Sequence, residues 1–366
     1  MRIVEDRMLS RAFIDAVRSL RRRSLSSLTP PSLTAPVQQD PPRAVWQPCR
    51  VPTPAETPIR PYLAGAARVA GLLALGGAAG LGYAAGIEVR WFALRRVSVP
   101  VLPAGHRPLK VLHVSDLHLT PGQGRKRDWV SRLARLEPDL VVNTGDNLAH
   151  RDAVAAVLDA FGGLLDVPGV FVLGSNDYFS PSVRNPVRYL LPDDGQRNTR
   201  TPKLPFGELR AGFEARGWVD LTNRRDTLTV DGTRIAFAGV DDRHLGYDDL
   251  EAVSGPADPG ADLRMGVTHA PYLRVLDQFA ADGYETVLAG HTHGGQLCLP
   301  LVGALVTNCD LDTARAKGLH RHPAASHAGD PGSSWLHVSA GAGTSPYAPV
   351  RFCCRPEATL LTLQPG

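Results

Sequence analysis

An α/β architecture of layered sheets and helices is predicted for most of this 366-residue chain. Three observations predict it. Short apolar runs at residues 110–115, 140–143 and 169–173 alternate with stretches of helical spacing, the pattern of strands separated by helices. Each run ends in polar residues: Asp116-Leu117-His118, Gly145-Asp146-Asn147 and Gly174-Ser175-Asn176-Asp177. A later apolar run, residues 286–289, delivers Gly290-His291-Thr292-His293-Gly294-Gly295. Ligands in open α/β sheets bind at such carboxyl ends of strands.

Taken in order, residues 1–62 read as a basic extension. Pro30, Pro31, Pro36, Pro41 and Pro42 begin a proline-dense run that continues to Pro61. That density defeats both helix and central strand, so disorder is expected, with an over-extended translation start as the alternative. A short basic helix is expected near residues 12–20.

Residues 63–97 are expected to form a transmembrane helix and a juxtamembrane segment. No residue from 69 to 87 is charged, close to the ~20 residues that cross a bilayer as a helix. Gly76, Gly80, Gly82 and Gly86 dilute the apolar character. Their four-residue spacing is read as a small-residue helix, although such spacing also brings membrane helices together. Tyr83, Trp91 and Phe92, followed by Arg95 and Arg96, resemble an interfacial anchor. The alternative is a buried helix of a soluble protein. Arginines flank both ends in similar number, so the positive-inside rule does not set the orientation; an extracytoplasmic domain is the working expectation. Arg21-Arg22-Arg23 has a twin-arginine look, but no apolar region follows it closely.

The soluble domain is expected over residues 98–366. Helices are expected at 154–164 and 273–280, and a strand at 263–267 that delivers His269. Residues 227–230 and 234–237 flank Asp231-Gly232, a hairpin signal. Residues 178–204 form a long connection without clear period, a candidate functional loop. Closing strands are expected at 301–307, 335–339 and 358–363, and a histidine-bearing loop at 314–331. There is no internal repeat.

The net charge of +4, with no basic stripe interleaved with aromatics, argues against a nucleic-acid partner. Cys49, Cys298, Cys309, Cys353 and Cys354 contain no CxxC pair, so neither a zinc ribbon nor a thioredoxin motif is supported. Cys298 and Cys309 are spaced for a loop-closing disulfide in an oxidising compartment, or are two reduced thiols.

The polar strand ends collect Asp116, His118, Asp146, Asn176, His269, His291 and His293. Residues i and i+2 of an extended chain face the same way, so His291 and His293 can address one site. Carboxylate, imidazole and one amide oxygen suit Mn, Fe or Zn, and the lack of cysteine argues against structural zinc. Seven donors fit two divalent metal ions sharing a bridging carboxylate, an arrangement that promotes displacement at phosphorus. His150, Asp241, Asp242 and His244 are spare polar candidates for which surface or turn roles are favoured.

The order DLH, GD, GSND, TH and GHTHGG resembles the calcineurin-like metallophosphoesterase superfamily over residues 109–363. The apolar segment, GSND and the stretches GTSPYAPVRF and RPEATLLTL resemble its YkuE/YaeI-like membrane-associated bacterial branch. The resemblance implies a four-layer αββα sandwich. It implies one metal on Asp116, His118 and His293, a second on Asn176, His269 and His291, and Asp146 between them. Many relatives place a proton-donating histidine where this chain has Asp177. An aspartate there would act as the acid, orient another acid, or serve a leaving group that needs none.

The function expected is hydrolysis of a phosphodiester or pyrophosphate bond, with a lipid-linked or cell-envelope substrate suggested by the apolar segment. The alternative is a membrane-tethered binding or scaffold protein of the same fold without turnover. A nuclease is disfavoured by the missing basic groove. Oligomeric state is open.

Overall fold

The computed structural model describes residues 60–183 and 199–366, with side chains from residue 68 onward. The disorder and short helix expected within residues 1–59, and the middle of the 178–204 connection, lie outside the described residues.

The first element is α1 (Arg60–Gly86), followed by a 3-10 turn at Glu88–Arg90. Among the described residues, one helix is long and apolar enough to cross a membrane, over Arg68–Arg90. Leu72, Leu73 and Leu75 are about 70% exposed on it, a costly arrangement in water without a lipid or protein cover.

Strand β1 (Ala93–Leu102) enters the first sheet upstream of the boundary expected at residue 98. There β2 (Leu109–Val114), α2 (Gly124–Ser131), β3 (Leu140–Asn143), α3 (Val154–Phe161), β4 (Gly169–Phe171), α4 (Ser175–Tyr178), α5 (Phe206–Glu214) and β5 (Val219–Asp220) follow. The second sheet begins with the hairpin β6 (Arg224–Val230) and β7 (Thr233–Gly239). It continues through α6 (Leu250–Val253), β8 (Leu263–Thr268), α7 (Leu273–Ala281) and β9 (Thr286–Ala289). A two-stranded ribbon, β10 (Cys298–Leu299) and β11 (Gly303–Ala304), precedes β12 (Gly318–His322), β13 (Ser334–Val338) and β14 (Glu357–Pro365).

The strands order as β1-β14-β2-β3-β4-β5 and β12-β13-β9-β8-β7-β6. Alternation along each strand builds the layers. Leu109, Val111, Leu140, Val142, Val170 and Val172 turn inward and meet Ile235, Phe237, Met265, Val267 and Leu288 between the sheets. Their neighbours Leu112, Val114, Val141 and Phe171 turn outward against Val130, Val157, Phe161 and Phe213 of the helices. The second sheet's outer face packs on Val253, Val275, Leu276 and Phe279 in the same way. The result is the expected helix–sheet–sheet–helix sandwich.

Strands β2, β3 and β4 are parallel neighbours, and so are β8 and β9. Every candidate ligand therefore leaves the carboxyl end of a central parallel strand. Strand β14 runs parallel to β1 and antiparallel to β2, pairing Ala93 with Glu357 and His113 with Thr359. The start of β1, where the chain leaves α1, thus shares an edge with the ligand-bearing end of β2.

Two expectations are corrected. The apolar run 301–307 is not a closing strand; Leu301 and Val302 form the exposed tip of the β10–β11 ribbon. The stretch 314–331 is not simply a loop, because Gly318–His322 forms edge strand β12 against β13. Its residues are mostly half-buried, so no apolar alternation announces it.

Two histidines join the sheets beneath the strand ends. His113 Nδ1 lies 2.9 Å from His337 Nδ1, and His113 Nε2 lies 3.0 Å from Thr144 Oγ1. Both rings are buried, and burial lowers both pKa values, His337 to about 3. The unfolded chain, with ordinary histidines near pH 6.5, then binds more protons below that pH than the folded one. Stability is full above pH 6.5 and is expected to fall as pH drops toward 3, by up to ~1.4 kcal/mol per pH unit for each such histidine. Urea midpoints at pH 7 and 5 check this, with His337→Leu expected to flatten the slope.

Candidate metal centre

Asp116, His118, Asp146 and His293 bring four ligand atoms within 4.8 Å of one another. His118 Nε2 faces His293 Nε2 at 3.1 Å, and His293 Nε2 lies 3.5 Å from Asp116 Oδ1. The other half of the set meets this cluster through one atom. Asp146 Oδ2 is 3.5 Å from His118 Nε2, 3.5 Å from His269 Nε2, and accepts from Asn176 Nδ2 at 2.7 Å. The His291 N–H donates to both oxygens of Asp116, and its ring lies 5.2 Å from that of His269. All seven sequence candidates are therefore brought to one place.

The local backbone is bent to achieve this. Asp116, His118, Asp146, His291 and His293 all have φ between 43° and 68°, a left-handed region costing a non-glycine residue on the order of 1–3 kcal/mol. Strain concentrated at ligand positions is a mark of a functional site. Two glycines admit the close approach: a Cβ at Gly174 would collide with Asp146 Oδ1, and one at Gly290 with Ser115 Oγ.

The donor set fits a cation. His269 Nδ1 lies 2.7 Å from the Thr144 carbonyl and His293 Nδ1 lies 3.1 Å from the Gly343 carbonyl. Those carbonyls accept from Nδ1 of each ring, which turns Nε2 toward the cluster as the atom that would ligate a cation. His269 Nε2 is buried without a hydrogen-bond partner. Burial holds His118 down at about 4 and His293 well below the usual range, so both imidazoles are in the neutral form that binds metal. Burial also disfavours charge on His269, yet Asp146 raises it well above the ordinary value, a proton standing where a cation would. Asp116 is pushed up to about 6 by burial.

Asp177 is fully buried, and both its carboxylate oxygens are taken by backbone amides. Its Oδ2 accepts from the amides of Asp146 at 2.8 Å and Gly174 at 3.0 Å. Its Oδ1 accepts from Asn147 at 2.8 Å and Leu148 at 3.1 Å. Burial and Asp146 raise its pKa to about 7 against the pull of those amides. The side chain ties the Asp146 turn to the start of α4.

Of the spare candidates, His150 is on the surface, and buried Asp241 accepts from Tyr178 Oη at 2.9 Å. Asp242 is buried and accepts the His244 amide at 2.7 Å. His244 departs from a surface role, since its ring packs 4.5 Å from that of His291. Beside it opens a cleft of about 710 Å³ lined by Arg243, His244, Tyr272, Leu305, Asn308 and Thr313, among others. The Asn308 carbonyl lies 3.1 Å from His291 Nε2, so cleft and ligand cluster are contiguous. Cys298 and Cys309 are both free thiols, and Cys298 packs with Cys354.

Arg351 was not legible as a site residue. It is fully buried, and its guanidinium donates to the carbonyls of Ala340, Gly341, Gly343 and Cys354. It also lies 3.3 Å from His293 Nδ1, fixing the loop that orients that ring. The sequence signal is its place in the GTSPYAPVRF stretch, which marks a family likeness but no role for the arginine.

Residues 109–295 match the calcineurin-like phosphoesterase family. The chain belongs to that family. Over 201 residues it is 30% identical to YpbG of Bacillus subtilis, covering 53% of this chain and 64% of that protein. It is 29% identical over 286 residues to the bovine "Transmembrane protein with metallophosphoesterase domain", covering 74% and 57%. It is 25% identical over 279 residues to "Phosphodiesterase YaeI" of Escherichia coli, covering 75% and 90%. The chain thus spans less than two thirds of the length of the first two of these relatives. The calcineurin-like match begins at β2 and ends at the HGG turn, so it takes in all seven candidate ligands.

Proposed function

We propose that this calcineurin-like protein is a metal-dependent phosphodiesterase, hydrolysing a phosphodiester or pyrophosphate bond at a dinuclear centre. The observation that carries the proposal is Asp146 Oδ2, equidistant at 3.5 Å from His118 and His269. In this reading Asp116, His118 and His293 would hold one divalent ion and Asn176, His269 and His291 the other, with Asp146 within reach of both sets; Mn, Fe or Zn would suit the donors. Two such ions, when bound, supply a hydroxide at neutral pH and stabilise charge on the phosphoryl oxygens.

The protein's own groups orient and tune. The Thr144 and Gly343 carbonyls fix the His269 and His293 rings, and Arg351 holds the Gly343 loop. Ser115 Oγ donates to Asp116 at 2.5 Å. The cleft beside His291 receives the substrate beyond the scissile phosphate. With both Asp177 oxygens committed to amides, no proton comes to the leaving group from that position, which favours diesters with stabilised leaving groups over alkyl monoesters. Membrane attachment is supported by the apolar α1 and by the word transmembrane in the bovine relative's name, and it is the ground on which a lipid-linked or envelope substrate is proposed.

The test is hydrolysis of paired chromogenic phosphodiester and phosphomonoester substrates by metal-stripped protein titrated with manganese. Metal-dependent turnover biased toward the diester is expected. Tight metal uptake with no turnover of either would move the assignment to a scaffold role.

A further inference from the structure

We propose that the β10–β11 ribbon is a second membrane contact, seating its Leu299–Val302 tip in the interface of the bilayer that α1 enters. The inference rests on the membrane part of the proposed function, and not on turnover.

Residues 294–309 contain no charged side chain. Within them Leu299 is 47%, Leu301 108% and Val302 71% exposed. Leu301 holds φ 67°, so a large apolar side chain stands at a turn position that favours glycine. A short ribbon with so bare an apolar tip is an aggregation hazard in water and an anchor in lipid.

The fold says which surface covers it. Tyr83, in the last turn of α1, stacks edge-on with Phe352 at 6.2 Å, and the Arg351 N–H donates to the Ala84 carbonyl. Glu88, just past the helix, accepts the amides of Cys353 and Cys354. The same Phe352 pairs with Leu297 as an isolated parallel bridge, and its carbonyl accepts from Cys298 N. Helix end, the 351–354 segment and the root of the ribbon are therefore one hydrogen-bonded unit. Tyr83 is about 5 Å of helix rise from Gly86, and the far end of the tip is at most ~18 Å of extended chain beyond Leu297. Around this unit stand the groups of a headgroup layer. Trp91 is half-exposed beneath the Arg355 guanidinium at 4.2 Å, and Arg90 caps the Ala85 and Gly86 carbonyls. The ribbon leaves the loop of His293 and returns as the Leu305–Thr313 wall of the cleft. Its seating in lipid would open the cleft at the membrane surface.

The experiment uses the full chain with Cys49→Ser, Cys309→Ser and Cys353→Ser, plus Leu301→Cys carrying an environment-sensitive NBD label. It is reconstituted in phosphatidylcholine–phosphatidylglycerol vesicles. Arg135→Cys, in the 3-10 turn that precedes β3 at the opposite end of the strands, is the control. The expected result is blue-shifted emission at position 301, quenched at least twofold by lipids spin-labelled near the glycerol, with water-like emission at 135. Water-like emission at 301 overturns the proposal. Blue-shifted emission that lipid quenchers do not reach would assign the tip to a second copy of the chain and also overturns it. Release of the chain from vesicles by alkaline wash removes the bilayer from the argument and overturns it as well. Turnover assayed on the same vesicles separates the two readings: lipid quenching without hydrolysis leaves the membrane contact standing and removes the esterase.

Discussion

Asp146→Asn is expected to abolish hydrolysis, lowering kcat/KM by at least ~10³-fold, the scale of losing charge stabilisation at a reacting phosphoryl group. The substitution is nearly isosteric, so the turn held by Asp177 should persist. What changes is the atom shared by both halves of the site, since an amide cannot offer two charged oxygens to His118, His269 and Asn176 at once. Both ions should weaken together in metal analysis of the purified variant. In the metal-free protein the raised pKa of His269 should fall, because Asp146 is what raises it; histidine NMR titration reads this directly. Retention of one ion at undiminished affinity would refute the shared-ligand assignment.

Asp177→Asn is expected to act on the scaffold of the site. Four backbone amides point at the Asp177 carboxylate, and asparagine presents one acceptor oxygen and an NH₂ group that confronts donors. Leaving buried donors unpaired costs ~1–3 kcal/mol each, so a loss of about 3 kcal/mol or more in a urea titration is expected, together with weaker metal uptake. A catalytic acid would behave differently. Its loss would spare stability and steepen the dependence of rate on leaving-group pKa, so chromogenic diesters of graded leaving group distinguish the roles. An unchanged urea midpoint with a steepened dependence would return Asp177 to chemistry.

Much of this was legible in the chain because strands and ligands follow short-range rules. Val111 and Leu112, or Val170 and Phe171, alternate between the inter-sheet core and the helices, and the run of polar residues after each strand marks its carboxyl end. What escaped depended on distant partners. Strand β12 is an edge of half-buried residues defined only by its pairing to β13. The 301–307 run has the composition of a buried strand, but its neighbours in space leave Leu301 and Val302 bare. Arg351 is stabilised by carbonyls from a folded-back loop rather than by a carboxylate, so no charge pairing in the sequence points to it. The amide partners of Asp177 were equally out of reach, because a turn thirty residues upstream supplies most of them.

Among the described residues strand β1 lies at the edge of its sheet and pairs with β14 alone, whose last paired residue is Pro365. The segment that joins α1 to the domain therefore finds its hydrogen-bond partners only in a strand far along the sequence, Ala93 pairing with Glu357. Such distant closure is slow, and the parallel core strands must assemble while the first strand is still unmatched. Removing β14 (Glu357–Pro365) would leave a domain tethered to its helix by an unzipped segment, with Leu109–Val114 itself turned into an open edge. Strand β14 acts as the clasp between the helix-bearing edge strand and the parallel core.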